Sequence, residues 1–346
     1  MHLLKFHLTA AALLSAVLAP GQTGQPFRVT SDLVVLDAQV LDRKTGAAVA
    51  GLAGGDFTIL EDGIPQRITH FSQDQIPLSI VLAVDCSTSV LPVLAEIHQG
   101  ALHALEALKP EDEVAVMAFG VRAEMIHGFS RDRAAVAAAI GTIDRNVTAR
   151  VGEQTHIDEA LYEAGRYLRS RAASGNRRAV IALTDNWTNQ PEGQGHSAAD
   201  ARAELLGSGT LVCGLVVGDF PRIARSLARG DRSIKSTNPS LQTMYRLLRQ
   251  KKIKLRNPVG VAAEDTGGLV LEASADGGAY RLRELIRRLR GSYSFGYVST
   301  NKVRDGGFRA LEVRFSPQAG TRLQAAQIVT RKGYYALPTS PPGSPQ

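Results

Sequence analysis

The chain has 346 residues, of which 44% are hydrophobic. This length suits two domains, and the composition is that of a soluble globular protein rather than a fibrous or disordered one. The net charge of +7 is concentrated in residues 221–260, which hold eleven Lys or Arg and one acid, Asp231. The rest of the chain is mildly acidic, so the positive charge belongs to one segment and not to the whole protein.

Residues 1–21 predict an export signal. Lys5 comes before an apolar run at residues 8–18, which is too short to span a bilayer. Small residues follow this run, as in a secretory signal peptide. Pro20 disfavours cleavage directly after Ala19, so we favour a cut near Gly21. An uncleaved membrane anchor is the alternative.

Residues 27–76 have the alternation of short antiparallel strands. Apolar residues recur with period two, which predicts strands at 33–40, 57–60 and 66–71. Gly- and Asp-containing turns at 42–46 and 61–63 separate them. Short alternating strands joined by such turns indicate a β-sandwich.

Residues 77–290 alternate between strands and helices. The aliphatic run at 79–84 predicts a strand covered on both faces. Apolar residues at helical spacing follow it, and the alternation continues to residue 290. Further strands are predicted at 114–119, 124–129 (an edge strand), 179–183, 211–217 and 268–271. This order predicts an α/β fold, a doubly wound and mostly parallel sheet with helices on both faces.

After residue 291 the period returns to two, with strands predicted at 293–297, 311–315 and 325–330. Three loose strands cannot fold alone. We therefore expect residues 291–337 to complete the sandwich begun by 27–76, which makes that antiparallel domain discontinuous around 77–290. The basic segment 221–260 is then an insertion in the α/β domain. Residues 338–346, rich in Pro, Ser and Gly, predict a disordered tail.

Four oxygen-bearing side chains fall where predicted strands of the α/β domain end or their following loops begin, and a fifth lies in the loop just before a predicted helix, at residue 155. In open parallel sheets, ligands bind at the carboxyl ends of the strands. Two carboxylates and three hydroxyls suit a hard octahedral cation, most plausibly Mg²⁺, with Mn²⁺ and Ca²⁺ as alternatives. The predicted metal-binding residues are Asp85, Ser87, Ser89, Thr155 and Asp185.

This pattern resembles the metal-ion-dependent adhesion site of von Willebrand factor type A (VWFA) domains, with DxSxS followed by a Thr and then an Asp. The resemblance implies that Ser87, Ser89 and Thr155 bind the metal, and that Asp85 and Asp185 act mainly through water. It also implies that a Glu or Asp of a partner protein completes the site. Asn186 departs from the family, which often has Gly there.

The flanking segments are similar to those of secreted VWFA-related proteins abundant in acidobacteria. The similar motifs are residues 52–57, 61–63, 266–268, 293–297 and 331–334. The expected function is metal-dependent, adhesion-type protein binding outside the cytoplasm. A structural scaffold of a cell-envelope complex, with a silent metal site, is the alternative.

Other chemistries find less support in the sequence. The eight His residues show no metal-ligand spacing, and Ser87 lacks a nucleophile elbow, so we do not expect an enzyme. The two cysteines, Cys86 and Cys213, are expected to be buried thiols, with a disulfide as the alternative. The basic segment is either a solvated insertion or a surface for an acidic envelope partner. Nucleic acid is not expected, because export and the lack of a recognition motif argue against it.

Overall fold

The computed structural model describes residues 33–87, 90–188, 193–218, 246, 256–273 and 277–338. The predicted signal segment 1–21, most of the basic segment 221–260, the tail after residue 338 and the predicted ligand Ser89 lie outside these residues. Among the described residues, no helix has both the length and the apolar character needed to cross a membrane.

The centre of the α/β domain is a six-stranded sheet in the order β10-β9-β8-β5-β6-β7. Only β7, at one edge, is antiparallel to its neighbour. All eight residues of β5 are buried, as expected for an aliphatic strand with helices over both faces. The strands are β5 (Leu78–Asp85), β6 (Glu113–Phe119), β7 (Ala123–Ser130), β8 (Arg177–Thr184), β9 (Leu211–Val217) and β10 (Val270–Ala273).

Seven helices of the described chain cover this sheet, and their apolar faces form two cores. One core contains residues of α1, α2, α3 and α7, and the other contains residues of α4, α5 and α6 on the opposite face. The helices are α1 (Leu91–Leu105), α2 (Arg133–Gly141), α3 (Arg145–Val151), α4 (Ile157–Arg171), α5 (Ala198–Ser208), α6 (Pro258–Thr266) and α7 (Gly278–Arg290). The predicted α/β fold class is confirmed.

The remaining strands form two four-stranded sheets, in the orders β13-β1-β11-β4 and β14-β12-β2-β3. Both sheets contribute to one core, in which Phe57 packs edge-on against Phe295 with ring centroids 4.9 Å apart. The strands are β1 (Leu33–Asp42), β2 (Phe57–Glu61), β3 (Ile64–Gln66), β4 (Ile68–Gln73), β11 (Tyr293–Val298), β12 (Phe308–Phe315), β13 (Ala326–Thr330) and β14 (Gly333–Tyr335). A short helix, α8 (Pro317–Arg322), follows β12.

Strands from the two ends of the described chain pair directly in these sheets. β1 lies between β11 and β13, and β2 pairs with β12, all antiparallel. The sheets therefore combine segments that come before and after the α/β segment of the chain. The predicted division of the chain into domains stays a prediction.

Three local predictions differ from the structure. The single strand predicted at 66–71 is two strands, because the chain passes from one sheet to the other at Arg67. The helices α3 and α6 were not predicted, and α6 includes residues 258–260 at the end of the predicted basic insertion. The last strand of the central sheet begins at Val270 rather than at 268. A Cβ on Gly268 would lie 1.8 Å from the carbonyl oxygen of Val212.

The sandwich contacts the α/β domain through the second face of β1. The Arg177 guanidinium Nε lies 3.2 Å from Asp37 Oδ1, and Gln39 donates a hydrogen bond to the carbonyl of Gly267. Arg177 is only 5% exposed, so its charge depends on the neighbouring Asp37 carboxylate. These polar contacts fix the position of β1 against the ends of β8 and α6.

Cys86 and Cys213 are both free and buried, so the disulfide alternative is wrong. Burial raises the pKa of the Cys86 thiol to about 12 and that of Cys213 to about 11. Thiols with such pKa values are protonated at neutral pH and therefore unreactive.

Candidate metal centre

Two aspartates lie side by side at the carboxyl end of the central sheet. Asp85 is the last residue of β5, and Asp185 directly follows β8. These strands are parallel neighbours, with Val84 opposite Leu183, so both carboxylates emerge at the same edge. Asp85 is wholly buried and Asp185 is 6% exposed. The fold thus brings together two acids that lie 100 positions apart in the sequence.

Neutral hydrogen-bond donors hold the Asp85 carboxylate. Its Oδ1 accepts the backbone N–H of Ser87 at 2.8 Å and lies 3.5 Å from the Thr155 hydroxyl. Its Oδ2 accepts the hydroxyl of Thr184 at 2.6 Å. The sequence analysis did not identify Thr184. The signal available was a hydroxyl residue directly before Asp185, at the end of an otherwise aliphatic strand.

The proximity of the two carboxylates is electrostatically unfavourable. Burial, and secondly the charge of Asp185, raise the pKa of Asp85 to about 7, although the hydrogen bonds from Thr184 and Ser87 oppose the shift. Two anions this close in a region shielded from water repel each other strongly. A divalent cation would remove this repulsion, so the charge of the site fits a metal.

The loop that carries Thr155 is fixed by backbone contacts. Gly152, with a φ of 94°, ends α3, and the N–H of His156 donates to the carbonyl of Gly120 at 2.8 Å. The hydroxyl of Thr188 donates to the carbonyl of Thr155 at 3.0 Å. Thr155 is 2% exposed, so its hydroxyl faces the site and not bulk water.

Backbone contacts also fix the loop after β5. The N–H of Cys86 donates to the carbonyl of Phe119, and the hydroxyl of Thr148 donates to the carbonyl of Cys86. Ser87 is buried at the start of this loop. Four of the five predicted ligands, Asp85, Ser87, Thr155 and Asp185, therefore gather at one end of the sheet. The fifth, Ser89, lies outside the described residues.

Asn186 occupies a backbone conformation that explains its departure from the family pattern. Its φ is 61°, a left-handed conformation that Gly adopts freely and that Asn tolerates better than other residues. Its side chain donates to Asn257 Oδ1 at 2.6 Å and accepts the N–H of Val259 at 3.2 Å. Asn186 thus supports the same turn as a glycine and also ties it to the start of α6.

Replacement of Asn186 tests this double role. We expect Asn186→Ala to be less stable than Asn186→Gly by about 1 kcal/mol, because a Cβ is strained at this positive φ. Both variants lose the contacts to α6, so their difference isolates the backbone effect. Urea unfolding of the two variants and the parent measures it. Equal stability of the Ala and Gly variants would contradict the strain.

The model of the von Willebrand factor type A domain family matches residues 80–188. No curated protein matches the chain by sequence. The chain is similar to the solved structure of the conserved hypothetical protein BatB from Bacteroides thetaiotaomicron, with 18% identity, a TM-score of 0.43, and coverage of 61% of this chain and 97% of that one.

Two further solved structures are similar to the chain. A von Willebrand factor type A protein from Catenulispora acidiphila has 13% identity and a TM-score of 0.42, with coverage of 90% of this chain and 75% of that one. Proximal thread matrix protein 1 from the mussel byssus, with a zinc-occupied MIDAS motif, has 13% identity and a TM-score of 0.40, with coverage of 63% and 49%.

The matched residues include β5 from Ile80 onward, the Asp85 loop, Thr155 and Asp185, which are the parts that form the candidate site. The resemblance of the flanking segments to a secreted VWFA-related family stays a prediction. The family match and the mostly parallel sheet with helices on both faces agree, and the chain therefore contains a von Willebrand factor type A domain.

Proposed function

We propose that this chain binds a divalent cation, with Mg²⁺ as the first candidate and Mn²⁺ or Ca²⁺ as alternatives, at Asp85, Ser87, Ser89, Thr155 and Asp185. Through this cation it binds a Glu or Asp of a partner protein. The observation that carries the proposal is the buried Asp85 carboxylate beside Asp185, held by hydroxyl and backbone N–H donors that are all neutral.

The donor chemistry supports both parts of this proposal. Carboxylate and hydroxyl oxygens are the ligands that hard cations such as Mg²⁺ prefer. When bound, the cation would supply a Lewis-acidic centre that keeps positive charge, because its direct ligands would be the neutral hydroxyls of Ser87, Ser89 and Thr155, with the two aspartates acting mainly through water. An external carboxylate would be attracted to that charge. Thr184 and the Ser87 backbone have a positioning role, since they orient Asp85 and leave the Thr155 hydroxyl beside it.

We further propose that the protein acts outside the cytoplasm and is not an enzyme. The apolar run at residues 8–18 supports export. The absence of a nucleophile motif around Ser87 supports a binding role. The basic segment 221–260, with its eleven Lys or Arg, supports a second contact with an acidic envelope surface.

The test combines a metal measurement with a binding measurement. We expect the parent protein to bind Mn²⁺ and Mg²⁺ in calorimetry and to retain a partner from envelope extract in Mg²⁺ but not in EDTA. We expect Asp85→Ala to lose both properties. Asp132→Asn, at the exposed aspartate that begins α2, is the matched control and should behave as the parent.

Two outcomes would contradict the proposal. Partner retention that is unchanged in EDTA and in Asp85→Ala would favour the alternative, a structural scaffold with a silent metal site. Failure of the parent to bind either cation would remove the metal site itself.

A further inference from the structure

A second group of metal-binding side chains lies on α4 and on the loop that precedes α5. Glu159, Glu163 and His196 each place a ligand atom within 4.8 Å of the others. All three are half-buried, so an ion could reach them from solvent. We propose that these residues bind a divalent transition metal ion of the zinc class, at a site separate from the one at the strand ends. This inference does not depend on the proposed function.

The backbone places the three side chains on one side of α4. Glu159 and Glu163 are four residues apart in the helix and therefore share a face. His196 approaches them from the loop, with its Nδ1 2.9 Å from Glu159 Oε2. Ligand atoms that share a four-coordinate zinc ion are about 3.3 Å apart. The separation of His196 Nδ1 and Glu159 Oε2 is close to this value, and the ligand atom of Glu163 lies within 4.8 Å of both.

The surroundings hold the His196 ring in place. Tyr162 stacks on it with ring centroids 3.5 Å apart and an interplanar angle of 12°. The backbone N–H of His196 donates to Glu159 Oε2 at 2.7 Å. This arrangement fixes both the ring and the carboxylate before any ion binds, which lowers the cost of assembling a metal site.

Gly195 shows independently that the loop before α5 lies close to Glu159. A Cβ at this position would lie 2.6 Å from Glu159 Oε2 and 2.9 Å from His156 Cε1. Its φ of 71° also suits glycine. The loop therefore passes close to the Glu159 carboxylate, and it brings a second imidazole, that of His156, to the same point.

The charges favour a cation at this cluster. The cluster brings two carboxylates, Glu159 and Glu163, together with the imidazole of His196. Glu163 already pairs with Arg166 at 2.6 Å, but the Arg166 side chain is 57% exposed, and such pairs are weak. A metal ion can displace this arginine.

The ligand types distinguish the two sites. Imidazole with carboxylates suits zinc and related ions, whereas oxygen ligands alone suit Mg²⁺. In excess Mg²⁺, added to compete for the proposed strand-end site, we expect the untagged full chain to bind an equivalent of Zn²⁺ in calorimetry. Co²⁺ in place of Zn²⁺ should give visible absorption bands of a protein-bound ion.

Variants assign that binding to the cluster. Loss of even an outer-shell partner costs a metal site about 10- to 100-fold in affinity, so His196→Ala and Glu159→Gln should each weaken Zn²⁺ binding at least this much. Arg166→Gln should tighten it. His103→Ala, at an exposed histidine of α1, and Asp185→Asn, at the other site, should leave it unchanged.

Three results would overturn the assignment. The first is that the parent does not bind Zn²⁺. The second is that both His196→Ala and Glu159→Gln bind Zn²⁺ as the parent does. The third is that Asp185→Asn loses Zn²⁺ binding, which would place the zinc at the strand ends. Circular-dichroism melting identifies any variant that fails to fold. Glu159→Gln keeps the size of the side chain, so it remains a valid test if His196→Ala unfolds.

Discussion

Replacement of Arg290 by methionine is expected to lower the free energy of unfolding by roughly 3–5 kcal/mol, the usual cost of leaving a buried charge without its partner. Arg290 is the last residue of α7 and is 5% exposed. Its guanidinium donates to Asp112 Oδ1 at 2.9 Å and to the carbonyls of Ile76 and Asp74. Asp112 has no exposed surface, so methionine would leave this buried carboxylate with its backbone donors, the N–H groups of Leu78 and Lys109, but without its ion-pair partner.

Two further variants make this prediction specific. Arg287→Met changes an exposed arginine of the same helix and should shift stability by less than about 0.5 kcal/mol. Asp112→Asn in the Arg290→Met background removes the unpaired charge and should recover part of the loss. Denaturant unfolding measures all three. If Arg290→Met were as stable as Arg287→Met, the buried pair would not contribute to stability.

Replacement of Gly120 by alanine is expected to affect both stability and the candidate metal centre. A Cβ at Gly120 would lie 1.9 Å from the carbonyl oxygen of Gly152, and backbone atoms cannot move away as a flexible side chain can. Overpacking in a tight site commonly costs 1–3 kcal/mol, and we expect about 3 kcal/mol here. The loop that contains Gly152 and Thr155 must therefore shift. This loop is also joined to Gly120 by the hydrogen bond from the His156 N–H to the Gly120 carbonyl.

Gly55 provides the matched control, because a Cβ there would meet no atom within 4 Å. We expect Gly55→Ala to bind Mn²⁺ as the parent does, whereas Gly120→Ala should bind it more weakly. Calorimetry gives the affinities, and thermal melting gives the stabilities. Parent-like Mn²⁺ affinity in a folded Gly120→Ala protein would show that this loop does not set the position of Thr155.

The fold class could be predicted from sequence because its main elements have simple patterns. Residues 79–84 are aliphatic without interruption, and a strand of this kind is buried on both faces. The strands around 293–297 could be assigned to the sandwich because loose strands need partners, and β11 does pair with β1. In each case a hydrophobic period identifies the element without knowledge of its neighbours.

Other features depend on tertiary contacts that leave no period in the sequence. The change of sheet at Arg67 falls within one alternating run, and α3 is too short to show a helical repeat. At the candidate site, the acids could be predicted from their positions after strands, and Thr155 from its loop just before a helix. Thr184 could not, because its role depends on the orientation of its hydroxyl toward Asp85.

The pairing of β1 with β11 also has a consequence for synthesis on the ribosome. Asp37 lies opposite Ser294, which emerges 257 residues later. By then the sheet from β5 to β10 and helices α1 to α7 have all emerged, so we expect this domain to fold first. Until β11 and β12 appear, the first four strands expose unpaired edges, which invite association between nascent chains. A holding chaperone would therefore act on the earliest strands of the chain and release them last.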